Sequence, residues 1–249
     1  MPLVSIIMPC HNGAPFIADA IRSVQSQTFA DWELLVIDDC SSDDSANIVK
    51  SLAEKDDRIR LLRTERSTGL PATPRNVGIR AARGRYIAFL DCDDEWLPTK
   101  LARQVPLFGT RGAAVVFSWY GKMDGAGNYG CNAVSSPAFV SYASMLDGNR
   151  IGNLTGMYDT DRCGKVLQRE IRHEDYVMWL EILARGFFAV STNSVEAVYR
   201  ESGSSVSGSK LRVLPWQWRI LRKELGLPPV AAAGHFLRYA VGGFLKFMK

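Results

Sequence analysis

The stretch VSIIMPCHNGAPFIADAIRSVQSQTFADWELLVIDD, residues 4–39, decides the fold. One short apolar run, LVSIIMP (3–9), opens it and a second, WELLVID (32–38), closes it; between them Ile17, Ala20, Ile21 and Val24 share one helical stripe. That is a strand, a helix and a second strand, a unit whose strands lie parallel and whose crossover is right-handed. The pattern continues with RIRLL (58–62) and YIAFL (86–90) as further strands. Helices are expected over 14–27, 43–55 and 74–83, the second with Asp43 as its N-cap. The fold class is therefore α/β, a Rossmann-like, mostly parallel sheet flanked by helices. Ligands of such sheets bind outside the carboxyl ends of the strands. Three clusters stand at those ends, Pro9-Cys10-His11-Asn12, Asp38-Asp39 and Asp91-Cys92-Asp93-Asp94, and all three should face one crevice. No GxGxxG or GxxxxGK[ST] loop occurs, which leaves a dinucleotide site and a P-loop without support.

Past a seam near residue 110 the signals are less regular. AAVVFSWY (113–120) reads as a strand and GKMDGAGNYG (121–130) as a turn-rich hairpin. HEDYVMWLEILAR (173–185) reads as a helix with Gly186 at its C′ position, and FFAV (187–190) and EAVYR (196–200) as two more strands. We place one domain over 1–205, with halves of about 1–110 and 111–205, followed by a tail over 206–249.

At 249 residues the chain can bury a real core, and with 47% apolar and 22% charged residues it is globular, not disordered. Its five cysteines are odd in number and scattered, which indicates reduced thiols over a disulfide framework or a zinc site. No apolar run approaches the roughly 18 residues of a membrane span, and the N-terminus lacks the basic region of a signal peptide. A cytoplasmic protein is expected. Net charge is +4, and residues 206–249 carry eight Lys or Arg against Glu224 alone, leaving 22 basic and 25 acidic residues before them. A basic tail on a slightly acidic body implies an anionic partner.

The acidic clusters carry the chemistry. Alternate carboxylates at Asp91 and Asp93 offer hard oxygen ligands of the kind Mg²⁺ or Mn²⁺ prefers, although a solvated loop capping a helix over 97–106 would use the same residues. Asp39 could accept a hydrogen bond from a base or ribose, or could serve the turn with Ser41 and Ser42.

Taken in order, VSIIMPCHNGAPF, WELLVIDDCSSDDS, PRNVGIRAARGRYIAFLDCDDEW and HEDYVMWLEIL resemble the family 2 glycosyltransferases, inverting enzymes of GT-A fold that use nucleotide-sugar donors. The resemblance covers roughly residues 3–190 and comprises a P-x-Y/H-N turn, an acidic pair, a DxD motif and a late ED motif. It implies that Pro9, His11 and Asn12 line base and ribose, with His11 where Tyr is more usual, and that Asp39 bonds the uracil ring. Arg75 would approach the nucleotide or a phosphate, Asp91 the ribose or metal, and Asp93 would be the first ligand of Mn²⁺ or Mg²⁺. Asp175 would be the base that activates the acceptor hydroxyl, with Glu174 second. Trp96, Tyr158 and Trp179 are candidates to pack on acceptor sugars, or are core.

The tail mixes Trp216, Trp218, Phe236, Leu237 and Tyr239 with Arg219, Arg222, Lys223 and Arg238, an interfacial pattern that suits a membrane surface, or else a helix packed on the body. Together with the resemblance this implies a UDP-sugar donor, galactose first and glucose next. The acceptor would be a sugar on polyprenyl (undecaprenyl) diphosphate, met at the inner face of the bacterial cytoplasmic membrane during O-antigen synthesis. No nucleic-acid partner is expected. Two rivals remain: a nucleotidyltransferase, which should show a Gly-rich basic loop where PCHNGAPF stands, and a nucleic-acid-binding protein, which leaves the acidic clusters unexplained.

Overall fold

The computed structural model describes residues 1–109, 112–201 and 210–245, so the seam near 110 and the boundary at 205/206 lie outside the described residues. Strand β1 (Val4–Cys10) is buried along its whole length, as a central strand covered on both faces must be. It is followed by α1 (Ile17–Gln25), β2 (Trp32–Asp38), α2 (Ser45–Ala53), β3 (Ile59–Arg63), α3 (Ala72–Ala81) and β4 (Tyr86–Phe89). The expected stripe of α1 is the buried one. Helix α3 packs so closely on the sheet that a Cβ at Gly78 would come within 2.6 Å of Ile7 and 2.7 Å of Ile37.

The remaining elements are β5 (Glu95–Trp96), α4 (Lys100–Gln104), β6 (Ala113–Asp124), β7 (Phe139–Val140), α5 (Tyr142–Leu146), β8 (Met157–Asp159), α6 (Thr160–Cys163), α7 (Glu174–Leu183), β9 (Phe188–Glu201), α8 (Lys210–Arg219) and α9 (Pro229–Leu245). Strand order is β3-β2-β1-β4-β8-β6-β9-β5, with β7 also on β9. β1, β2, β3 and β4 are mutually parallel, and β8 runs antiparallel between β4 and β6. The chain steps outward from β1 to β3 and returns on the other side of β1 as β4. This reversal opens a crevice at the carboxyl ends of β1 and β4.

Several boundaries differ from expectation for identifiable reasons. The two strands expected at 187–190 and 196–200 are one strand, because β9 follows β6 in parallel through register shifts that absorb the polar residues between them. The N-cap position of α2 is Asp44, not Asp43; Asp43 instead accepts from the Ser45 and Ala14 amides and ties α2 to the turn after β1. The helix expected over 97–106 is α for five residues only and then tightens into a 3₁₀ turn, Val105–Gly109. Gly186, with φ +89°, follows the Ala184 cap by two residues and so sits one position later than expected.

Lys100 is fully buried, its ammonium donating to Gln104 Oε1 at 2.6 Å above the ring of Trp96. Burial pulls its pKa from 10.5 to about 7, against the attraction of Glu196. The unfolded chain therefore holds this proton up to pH 10.5 and the folded one only to about 7. Stability should rise with pH through that window, by at most about 1.4 kcal/mol per pH unit from this one group. Lys100→Met should flatten the rise relative to the parent protein in denaturant titrations at pH 7 and 9.5; equal slopes would contradict the buried neutral amine.

The tail is no free appendage where it is described. Ile220, Leu221 and Ala232 belong to the same buried cluster as Val177, Leu180 and Phe89. Gln217 Nε2 donates to the Leu146 carbonyl and the Tyr176 hydroxyl, each at 3.3 Å. Lys246, Phe247 and Lys249 lie outside the described residues. Among those described, no helix is long and apolar enough to cross a membrane.

Candidate active site

A cavity of about 340 Å³ opens at the carboxyl ends of β1, β2 and β4. Pro9, Cys10 and His11 line it from β1, Asp39 from β2, Asp91, Cys92 and Asp93 from β4, and Ser67, Leu70, Pro71, Pro74 and Arg75 from the segment entering α3. The three expected clusters do converge. Several of their side chains are held by hydrogen bonds within the protein. His11 Nδ1 donates to the Asp39 carbonyl at 2.7 Å. The buried Asp39 carboxylate accepts from Thr64 Oγ1 and from Ser67 Oγ, each at 2.7 Å, which aims it while leaving lone pairs for a ligand N–H. Backbone strain collects here as well: Asn12 (φ +53°) and Cys40 (φ +57°) turn the chain just past β1 and β2, and His173 (φ +62°) stands immediately before Glu174 and Asp175.

Two arginines brace the acidic run 91–95. Arg75 bonds Asp91 at 2.6 Å from one side. From the other, Arg200 bonds Glu95 at 3.0 Å, the Asp93 carbonyl at 2.9 Å and, through its amide, Asp94 at 2.9 Å. Burial and the neighbouring Asp91 raise the pKa of Asp93, and burial raises that of Asp94 further. The Asp93 carboxylate alone in the run makes no hydrogen bond to another described residue. Among the described residues no group of three or more His, Cys, Asp or Glu converges as metal ligands. A hard divalent cation would fit here with Asp93, and the second oxygen of Asp91, as its protein ligands, its other positions left to phosphate oxygens and water.

Arg75 lines the cavity, and both of its terminal nitrogens are engaged within the protein. Only 4% exposed, it spans the two halves of the fold, with one Nη on Asp91 and the other on Glu174, each at 2.6 Å. Glu174 is buried at the start of α7 and its pKa is raised by burial in spite of Arg75. Next to it the Asp175 carboxylate accepts from Asn149 Nδ2 at 3.0 Å, and burial raises its pKa over the opposing pull of Arg75. Asn149 follows a loop that the tail holds. Asp147 accepts from His235 Nδ1 (2.7 Å) and Arg238 Nε (2.9 Å) of α9, and Gly148 (φ +131°) packs under Tyr239.

Two expectations are corrected. Trp96, Tyr158 and Trp179 are 2%, 0% and 0% exposed, so none can pack on an acceptor sugar; Trp96 donates to the Leu154 carbonyl, and the other two rings pack against Phe89 and each other. An aromatic that does stand near the start of α7 is Trp216, its ring centroid 6.5 Å from that of His173 and within reach of the Arg172 and Arg219 guanidinium groups. Asn12 does not line the cavity; its Oδ1 accepts from the Ser42 amide and its Nδ2 faces His11 Nε2, so it steadies the ring that does. Arg200, Asn149, Thr64 and Ser67 were missed because each acts through a fold-level contact distant in sequence from the group it holds.

Residues 5–163 match the Glycosyl transferase family 2 model. The chain is a family 2 glycosyltransferase. This glycosyltransferase is 36% identical, over 98% of its length and 94% of the relative's, to WfgD of Escherichia coli, named a UDP-Glc:alpha-D-GlcNAc-diphosphoundecaprenol beta-1,3-glucosyltransferase. In fold it is similar to Staphylococcus aureus TarS 1–349 in complex with UDP-GlcNAc, with a TM-score of 0.72 and 18% identity over 96% of this chain and 72% of that one. It is also similar to the mannosyltransferase PcManGT of Pyrobaculum calidifontis in complex with GDP-Man and Mn²⁺, at 0.65 and 17% over 96% and 73%. The architecture of the glycosyltransferase is thus the GT-A fold expected from its motifs.

Proposed function

We propose that this enzyme transfers glucose from UDP-glucose, with inversion and with a divalent cation, to a sugar carried on undecaprenyl diphosphate. The observation that carries the reading is the shared cavity: Asp39 and Asp93 line it, and Arg75 joins its wall directly to Glu174, which opens α7 next to Asp175. Asp39 would meet the base, with His11 and Pro9 beside it. Asp93, with Asp91, would hold a Mn²⁺ or Mg²⁺ ion that neutralises charge on the departing diphosphate. Asp175 takes the proton of the acceptor hydroxyl, Asn149 orients it, and Glu174 stays clamped to Arg75. Glucose now precedes galactose because the relative named above is a glucosyltransferase. The same name supports the lipid-diphosphate acceptor.

The test offers purified enzyme a panel of UDP-sugars with Mn²⁺ or Mg²⁺ and a synthetic polyprenyl-diphosphate GlcNAc acceptor, and reads the product by mass spectrometry and NMR. A β-linked glucoside is expected, along with loss of turnover on chelation. Asp93→Ala should lower turnover by about 10³-fold or more, the worth of several kcal/mol of charge stabilisation. Turnover unchanged in EDTA would remove the metal from the reading; transfer of galactose alone would reverse the choice of donor.

The tail supports a membrane-surface location. With Ala232 turned into the core, α9 leaves Val230, Leu237 and Val241 exposed at 86%, 65% and 49%, at helical spacing, with Arg238 nearby. Leu237→Glu combined with Val241→Glu should weaken binding to anionic liposomes by about tenfold or more in flotation assays, since each exposed aliphatic contributes about 1.5–3 kcal/mol when buried. Equal flotation of parent and variant would show that this face does not meet lipid.

A further inference from the structure

Two thiols stand where the function just described gives them no part. Cys10 ends β1 and Cys92 lies between Asp91 and Asp93, at the unspecified positions of the P-x-H-N and D-x-D motifs. β1 and β4 run parallel with Ile7 opposite Phe89, and counting three residues onward along both chains brings Cys10 opposite Cys92. The ladder persists past the last pair through the Leu90 amide, which donates to the Ile7 carbonyl at 3.1 Å. Cys92 itself lies in the turn just past β4, and the approach of the two sulfurs is read from their shared contact with Gly13. Both side chains fall on one face of the sheet and pack in the same apolar cluster. A Cβ at Gly13 would lie 2.7 Å from the Cys92 sulfur and 3.1 Å from that of Cys10, so the absence of that carbon is what lets the chain cover both. Both residues line the cavity and are reachable from it. The other thiols are placed differently: Cys40 lies against Thr64, Cys163 donates to the Asp159 carbonyl, and Cys131 is exposed.

We propose that Cys10 and Cys92 are an oxidation site in the wall of the donor cavity, and that their closure to a disulfide by a peroxide withdraws the cavity from nucleotide binding. One sulfur attacks an oxygen of hydrogen peroxide. The O–O bond breaks, leaving a sulfenic acid and one water. The second sulfur then attacks the first, the S–O bond breaks, and the hydroxide leaves with the remaining thiol proton as a second water. Two sulfurs are thus oxidised by two electrons in total, and the peroxide takes both. Bonded sulfurs sit about 2.05 Å apart, closer than any hydrogen-bonded pair, so closure draws the 91–93 turn toward β1. Shifts of about 1 Å in such groups cost about 10²-fold in function. The crosslink itself is independent of the proposed donor; its effect on UDP rests on that reading.

The experiment uses the full chain with Cys131→Ser, which removes the exposed thiol, treated with hydrogen peroxide. Intact mass should fall by two hydrogens, and non-reducing digestion should give a peptide joining Cys10 to Cys92. UDP affinity in Mn²⁺, measured by calorimetry, should weaken by at least about tenfold and return with dithiothreitol, and UDP present beforehand should slow the crosslink. A Cys131→Ser, Cys92→Ser protein, compared only with itself before and after peroxide, should show no change. Free Cys10 and Cys92 after treatment, or a crosslink mapped elsewhere, would overturn the site. A mapped crosslink with unchanged UDP affinity would overturn its effect. Failure of the untreated protein to bind UDP would count against the donor reading and against that effect, while the peptide map still decides the thiol pair.

Discussion

Asp175→Asn should reduce turnover by about 10²–10⁴-fold with UDP affinity nearly unchanged, because the amide keeps the shape and the Asn149 contact but cannot accept a proton. The pH profile supplies a second readout. Burial raises the Asp175 pKa above its ordinary 3.8, with Arg75 and the Asn149 bond opposing and the Asp91 charge adding to the rise. A base works deprotonated, so activity falls as pH drops through the raised value, and the acidic limb of kcat/KM should stand above the range of an exposed aspartate. Asn149→Ala should move that limb while leaving UDP affinity in place, since it removes only one bond that favours the anion. Full activity in Asp175→Asn would transfer the role of base to another group. A large loss of UDP affinity instead would place Asp175 in donor binding.

The first ninety residues were legible in sequence because their physics is local. Fully buried parallel strands read as unbroken apolar runs, the α1 stripe repeats at helical spacing, and the polar residues that end each strand mark the ligand edge. What could not be read is pairing across the sheet. Nothing in EAVYR announces that its arginine braces an acidic run 105 residues earlier, or that β9 runs parallel to β6 without a break. Trp96, Tyr158 and Trp179 were ambiguous for the same reason, since an aromatic beside a motif is core or contact according to what packs on it. The resemblance placed Arg75 near the nucleotide or a phosphate, but nothing in its own segment could show that its partners Asp91 and Glu174 come from two distant parts of the chain.

Arg75→Leu should be the most destabilising single change at the site. It would leave Glu174, whose side chain is 10% exposed, as a carboxylate without its cation, and stranding one partner of a buried pair costs about 3–5 kcal/mol. Asp91 adds less, because a third of its side chain meets solvent and water can replace the lost partner. For a chain of this size each kcal/mol moves Tm by about 2–4 °C, so thermal unfolding should shift down by about 6–20 °C. Glu174→Gln in the same chain should recover much of that loss, since the amide needs no counter-charge, and the non-additivity of the pair isolates the buried ion pair from the helix that carries it. Arg75→Lys should fall between, because one ammonium cannot span Asp91 and Glu174 at once. Additive effects, or an Arg75→Leu protein as stable as its parent, would mean that the two halves of the site are held together by the sheet alone. The double substitution should regain stability without regaining turnover, as the same guanidinium sets the distance between Asp91 and the turn that bears Asp175.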